Sequence, residues 1–145
     1  MLDKFKSLLS NKKEVEKEEF DASQLAVASL MITTALHDGE FDDVEKDEIL
    51  NLLKNYYDLD DEKLVSLFNA SFSLLENAND IQQFTSKINN FLTDDEKVMI
   101  IEMLWKIVIA DGRIDDYENA LVRKISGLLY VDDFKVGEIK KRLSK

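Results

Sequence analysis

One acidic segment occurs twice in the sequence, and this internal repeat constrains the fold more than any other feature. Residues 37–45 (HDGEFDDVE) align with residues 110–118 (ADGRIDDYE), and each copy follows a long apolar segment. The same offset of 73 residues superimposes Leu30 on Met103. We therefore expect two equivalent halves, each with an acidic turn at the same place.

The repeat extends beyond the acidic turns. The offset of 73 also places Tyr57 on Tyr130, and we expect it to fall to 72 afterwards, where residues 60–61 meet residues 132–133, both Asp-Asp. Each half then has the length and pattern of a three-helix unit. Neither half alone has enough apolar surface to be clearly independent, so the two are expected to share one core.

Composition favours helices throughout the chain. The 145 residues include no Pro and only four Gly, which are the residues that helix interiors tolerate least. The fractions of hydrophobic residues (45%) and charged residues (34%) are typical of a folded soluble protein. The chain is long enough for one domain with a substantial core. We predict an all-α, single-domain helical bundle.

Capping residues and apolar periodicity predict about seven helices. The first begins after Asp21, with Gln24 as its capping-box partner, and runs to about His37. The fifth begins after Thr93, with Glu96 in the equivalent position. Both are apolar nearly all round, which is typical of helices surrounded by others. The predicted bundle is two duplicated three-helix units joined by a linking helix.

The N-terminal residues differ in pattern from the rest. Residues 2–10 carry their large apolar side chains on one side, and residues 11–19 are highly charged. We interpret residues 1–19 as an amphipathic leader and charged tether, followed by a helical domain at residues 20–145. The leader either rests on the domain or makes weak docking or membrane-surface contacts. A transmembrane segment and a signal peptide are not expected, so a cytoplasmic location is predicted.

The charge of the chain restricts its partners. There are 19 Lys and Arg against 30 Asp and Glu, a net charge of −11. Such a surface repels nucleic-acid phosphates and anionic lipid at long range. We therefore expect no nucleic-acid partner and favour cations or a protein partner with a basic surface. The absence of Cys excludes disulfides and thiolate chemistry on this chain.

Most residues of the repeated loop have an ordinary folding role. Gly39 and Gly112 can adopt the left-handed conformation that ends a helix. The predicted N-caps and capping-box partners of the following helices are Asp42 with Glu45 and Asp115 with Glu118. Caps of this kind contribute about 1 kcal/mol each. One interpretation is therefore that the loops are helix caps and bind no cofactor.

The other interpretation is a cation site, because Asp38 and Asp111 have no such folding role. Both lie at a helix C-terminus, where the macrodipole disfavours negative charge. Carboxylate and carbonyl oxygens suit calcium, magnesium or manganese. The predicted metal ligands are Asp38, Glu40, Asp42 and Glu45 in the first copy and Asp111, Asp115 and Glu118 in the second. The first copy is the stronger candidate, since Arg113 replaces Glu40 in the second.

Other site types fit less well. In an EF-hand alignment of the first copy, Asp43 occupies the sixth position instead of Gly and Ile49 the twelfth instead of Glu. Catalysis commonly uses His or Cys, and the chain has one His and no Cys. His37 is better explained as a favourable cation at a helix end. A di-iron bundle needs two Glu-x-x-His motifs, which a chain with one His cannot supply. We therefore predict that the protein is not an enzyme.

These loops also carry a family resemblance. The paired Asp-Gly-x-hydrophobic-Asp-x-x-Glu motifs, especially residues 104–118 (LWKIVIADGRIDDYE) with LLYV at 128–131, resemble the TerB-like proteins of bacterial tellurite-resistance systems. The resemblance covers roughly residues 20–143 and looks closest to standalone, uncharacterised members of that family. It implies an all-helical fold, an acidic metal-binding surface site and a cytoplasmic role in tellurite or other stress responses, without catalysis. The acidic residues that match the motif are Asp38, Asp42, Glu45, Asp111, Asp115 and Glu118.

Overall fold

The computed structural model describes residues 20–37, 40–41, 43–77, 80–110, 112 and 114–143. Within these residues the chain forms seven α-helices. They are α1 Ala22–Ala35, α2 Asp43–Tyr57, α3 Asp61–Glu76, α4 Gln82–Phe91, α5 Asp94–Val108, α6 Asp116–Leu128 and α7 Asp133–Leu143. The predicted all-α fold is confirmed. The leader and tether predicted at residues 1–19 lie outside the described residues.

The helix starts follow local capping chemistry. The side chain of Asp21 accepts a hydrogen bond from the Gln24 N–H at 2.8 Å, and the Gln24 side chain accepts one from the Asp21 N–H at 3.0 Å. Thr93 and Glu96 form the same reciprocal pair at 3.2 and 3.0 Å. These bonds satisfy amide donors that have no partner inside the helix. The capping boxes predicted at Asp21 and Thr93 are confirmed.

Helices α1 and α5 form the centre of the bundle. Helix α1 contacts α2, α3, α4, α5 and α6, whereas α5 contacts α1, α2, α6 and α7. Leu30 and Met31 on α1 and Leu104 and Trp105 on α5 are all fully buried. Because neighbours enclose these two helices, apolar side chains are stabilised on most of their faces, as their sequences predict.

The packing of the two halves is reciprocal. In each half, the three helices contact one another, and α2 of the first half contacts α5 of the second while α6 contacts α1. The linking helix α4 packs against α1 and α6. This arrangement is the one expected of two equivalent three-helix units that share a core.

The turns after α2 and α6 have the same backbone geometry. The closing hydrogen bonds run from the Leu59 N–H to the Lys54 carbonyl (3.0 Å) and from the Val131 N–H to the Ser126 carbonyl (2.9 Å). Both have the six-residue spacing of a Schellman turn, with Asp58 (φ 52°) and Tyr130 (φ 60°) in the left-handed position. Asp58 is thus equivalent to Tyr130. The predicted pairing of Tyr57 with Tyr130 is wrong, because the offset falls to 72 before this turn.

Candidate cation site

The first acidic loop contains a short β-ladder. Helix α1 ends at Ala35, two residues earlier than its sequence pattern predicts, and the backbone becomes extended at Leu36 (φ −90°, ψ 111°). The two strands are β1 Leu36–His37 and β2 Glu40–Phe41, paired antiparallel with Leu36 opposite Phe41 and His37 opposite Glu40. Only Asp38 and Gly39 connect the strands. Asp-Gly is a favoured pair for such two-residue connections.

The second acidic loop has a different backbone. Helix α5 ends at Val108, and its C-cap Ile109 has φ −93° and ψ 1° rather than an extended conformation. The Gly112 N–H then donates to the Ile109 carbonyl at 3.0 Å. Gly112 has φ +82°, which confirms its predicted left-handed conformation. It lies in the turn beyond the helix, however, rather than directly at the helix end.

The two copies are therefore alike in sequence but unlike in backbone conformation. The equivalents of Leu36 and Phe41 are Ile109 and Ile114, and neither belongs to a strand in the described part of the second loop. The second loop also has Arg113 where the first has Glu40. Both differences indicate that the two copies are not equivalent sites. Any ion-binding property is expected to differ between them.

Glu45 and Glu118 are the acidic residues that the structure distinguishes most clearly. They lie in the first turns of α2 and α6 and are only 2% and 3% exposed. The ordinary capping-box residue Glu96 remains half-buried. A carboxylate that is removed from water must be compensated by a cation, by hydrogen bonds or by protonation. Buried carboxylates at the same position in both halves mark this region as a candidate site.

Asp115 has a role in the backbone that needs no ion. Its Oδ1 accepts hydrogen bonds from the N–H groups of Tyr117 at 2.7 Å and Glu118 at 3.2 Å. It is the N-cap of α6, as predicted.

The remaining predicted ligands are described only in part. Asp38, Asp42 and Asp111 lie outside the described residues, and for Glu40 the structure gives only its place in β2. Among the residues that are described, no group of three or more His, Cys, Asp or Glu side chains is placed to hold a metal ion. Coordination by the predicted ligands therefore stays a prediction.

The surface also has a groove that the sequence does not predict. A groove of about 590 Å³ lies where the N-terminal ends of α1 and α5 approach the C-terminal ends of α2 and α4. We call it the acidic-aromatic groove and define it by Asp21, Tyr56, Tyr57, Phe91, Leu92 and Glu96. The sequence does not reveal it because these residues come from four separate helix ends, which only the tertiary structure brings together.

The two tyrosines of the groove are electrostatically coupled to its carboxylates. Their rings meet edge to face, with centroids 4.7 Å apart. Burial raises the pKa of Tyr57 well above its usual value, and Tyr56, Asp21 and Glu96 raise it further. Burial and Glu96 also raise the pKa of Tyr56. Both hydroxyls are therefore protonated at neutral pH.

The fold and the loops define an all-helical module with acidic turns at matching positions. The sequence matches the family model described as tellurite resistance protein TerB over residues 24–141. Because the match spans most of the chain, the protein belongs to the TerB family. Comparison with curated proteins gives no significant match, and neither does comparison with solved structures. None of the described helices is both long and apolar enough to cross a membrane.

Proposed function

We propose that the protein is a non-catalytic TerB module that binds a divalent cation at its first acidic loop. We infer a cytoplasmic setting, and the description of the family as tellurite resistance protein TerB supports a role in a tellurite or related stress response. The burial of Glu45, which is 2% exposed at the start of α2, is the observation that carries the proposal. Glu45 already has a partner in the structure, and a cation at this loop would further stabilise its buried carboxylate.

The backbone of the first loop supports the same proposal. The pairing of His37 with Glu40 reverses the chain immediately before α2. In the sequence, Asp38 lies between the two strands, and Asp42 lies between β2 and α2, three residues before Glu45. This spacing along the chain supports the proposal that the carboxylates of one loop bind one ion.

The donor atoms determine the class of ion. The proposed ligands Asp38, Glu40, Asp42 and Glu45 offer only oxygen, and the chain has no Cys. Calcium, magnesium and manganese prefer such ligands, whereas soft metals prefer sulfur. The proposed role against tellurite is thus ion binding or partner recruitment rather than reduction by thiols.

Thermal unfolding with and without each of these three cations tests the proposal. A cation at about 100 times its dissociation constant should stabilise the native protein by roughly 2.7 kcal/mol. The variant Glu45→Gln should lose this increase, whereas Asp47→Asn, an exposed residue on the same helix, should keep it. The absence of a shift with all three cations, or an equal shift in both variants, would contradict cation binding at this loop.

The second candidate is a protein-interaction module whose acidic loops are only caps. Asp115 favours it, because two backbone N–H groups already account for its carboxylate. Under this hypothesis a basic partner surface would bind the acidic protein without a cation. Binding of that partner would persist in a chelator and would weaken with added salt.

A further inference from the structure

We propose that residues 2–10 of this chain dock into its own acidic-aromatic groove. The proposal concerns a different face from the acidic loops and does not depend on cation binding.

The described part of the chain begins beside the groove. Phe20 is 2% exposed and belongs to the hydrophobic core, so the chain is anchored there. The next residue, Asp21, already lines the groove. The point at which residues 1–19 join the folded domain is therefore at the rim of the groove.

The groove has the chemistry of a site for a basic amphipathic segment. Phe91 is 66% exposed and offers an apolar ring beside Tyr56, Tyr57 and Leu92. Asp21 and Glu96 are the charged residues of its lining, and both are acidic. Aromatic faces with nearby carboxylates bind apolar side chains and the cationic heads of lysines together.

The leader has the complementary pattern. Its apolar residues are Leu2, Phe5, Leu8 and Leu9, which share one side at helical spacing. Lys4 and Lys6 flank them, and residues 2–10 contain two Lys and one Asp, a net charge of +1 in a protein whose net charge is −11. The carboxylates of Asp21 and Glu96, which line the groove, attract the two lysines.

Residues 11–19 are long enough to let residues 2–10 reach the groove. Residues 11–19 can span at most about 30 Å, at roughly 3.3–3.6 Å per residue, whereas a helix of residues 2–10 would be about 14 Å long. A short tether also gives the leader an effective concentration on the order of millimolar at the groove. Even a weak contact would then be well populated.

Paramagnetic broadening in the full-length protein tests this placement. Because the chain has no Cys, Ser10→Cys gives a single site for a nitroxide label. We expect selective broadening of the amide signals of Tyr57, Phe91 and Leu92. Phe91→Ser should abolish it, whereas Phe134→Ser should not, since Phe134 is 75% exposed on α7 and does not line the groove. The exposure of both rings makes both variants compatible with folding.

Charge reversal and dilution complete the test. Lys4→Glu with Lys6→Glu should reduce the broadening, and dilution should leave it unchanged because docking is intramolecular. Broadening centred on another face, or equal broadening in Phe91→Ser and wild type, would overturn the proposal. So would broadening that appears when the label and the observed amides are on different molecules, which would identify a second copy as the occupant.

Discussion

Glu45 and Glu118 occupy the capping-box position, from which a glutamate side chain can bond back to the N-cap amide. Glu96 behaves in this way, and its side chain accepts the Thr93 N–H at 3.0 Å. The sequence motif around all three residues is similar, so it predicts their place in the first helical turn. It does not predict that Glu45 and Glu118 are buried, because burial depends on the neighbouring helices.

At the level of single residues, the cap at Asp115 should be measurable. Asp115→Ala removes an acceptor of two backbone N–H groups and should destabilise the protein by about 1 kcal/mol. The adjacent Asp116→Ala serves as the control, because Asp116 is exposed and is not the N-cap. Urea unfolding measures both. Equal losses in the two variants would contradict the assigned cap.

Substitution of two glycines by alanine should change the stability of the protein in opposite directions. Gly112→Ala should cost about 1–2 kcal/mol, because φ +82° is unfavourable for a residue with a Cβ even though the added atom would meet nothing within 4 Å. Gly137→Ala, in the interior of α7 and equally free of contacts, should stabilise by about 0.5–1 kcal/mol. Chemical denaturation measures both changes. A stabilising Gly112→Ala would show that the loop does not require this conformation.

At the level of elements, local chemistry explains what could be predicted. The boxes at Asp21 and Thr93 depend on residues three apart, so the sequence alone identifies them. The sequence does not predict the strand pair of Leu36 and Phe41, because Asp-Gly is common both at helix ends and in hairpin turns. The groove required four helix ends to meet, which no local pattern encodes.

The ion pair between α2 and α3 gives a pH-dependent prediction. Lys54 Nζ lies 2.8 Å from Asp61 Oδ1, which lowers the pKa of Asp61 from 3.8 and raises that of Lys54 from 10.5. The contribution of Asp61 to the stability of the folded protein is therefore complete above pH 3.8. It is lost as the pH falls through the lower pKa that Asp61 has in the folded state. The contribution of Lys54 to stability is complete below pH 10.5 and is lost as the pH rises through the higher pKa that Lys54 has in the folded state.

Carboxyl chemical shifts of Asp61 measured against pH test this pair. Lys54→Met should return the pKa of Asp61 towards its ordinary value, and added salt should have the same direction of effect, because both side chains are solvent-accessible. An Asp61 pKa that does not respond to Lys54→Met would show that the two groups do not pair in solution.

At the level of the whole molecule, the two halves share one core. Leu30 on α1 and Leu104 on α5 are both fully buried, and the two helices are in contact. Leu30→Ala and Leu104→Ala should each destabilise by about 2–5 kcal/mol. Val65→Ala, at a position 55% exposed, should change stability by less than about 1 kcal/mol.

The shared core also predicts the form of the unfolding transition. The fluorescence of Trp105 in the second half and the helical circular dichroism of the whole chain should change together, even in Leu30→Ala of the first half. Separate transitions would mean that each three-helix unit folds independently.

The central functional claim is that the first acidic loop, and not the second, binds a divalent cation. Isothermal titration of calcium, magnesium and manganese into wild type, Asp38→Asn and Asp111→Asn tests it most directly. We predict saturable binding of at least one of these ions to wild type, its loss in Asp38→Asn and its retention in Asp111→Asn. No binding of any ion to wild type, or equal binding by both variants, would contradict this assignment.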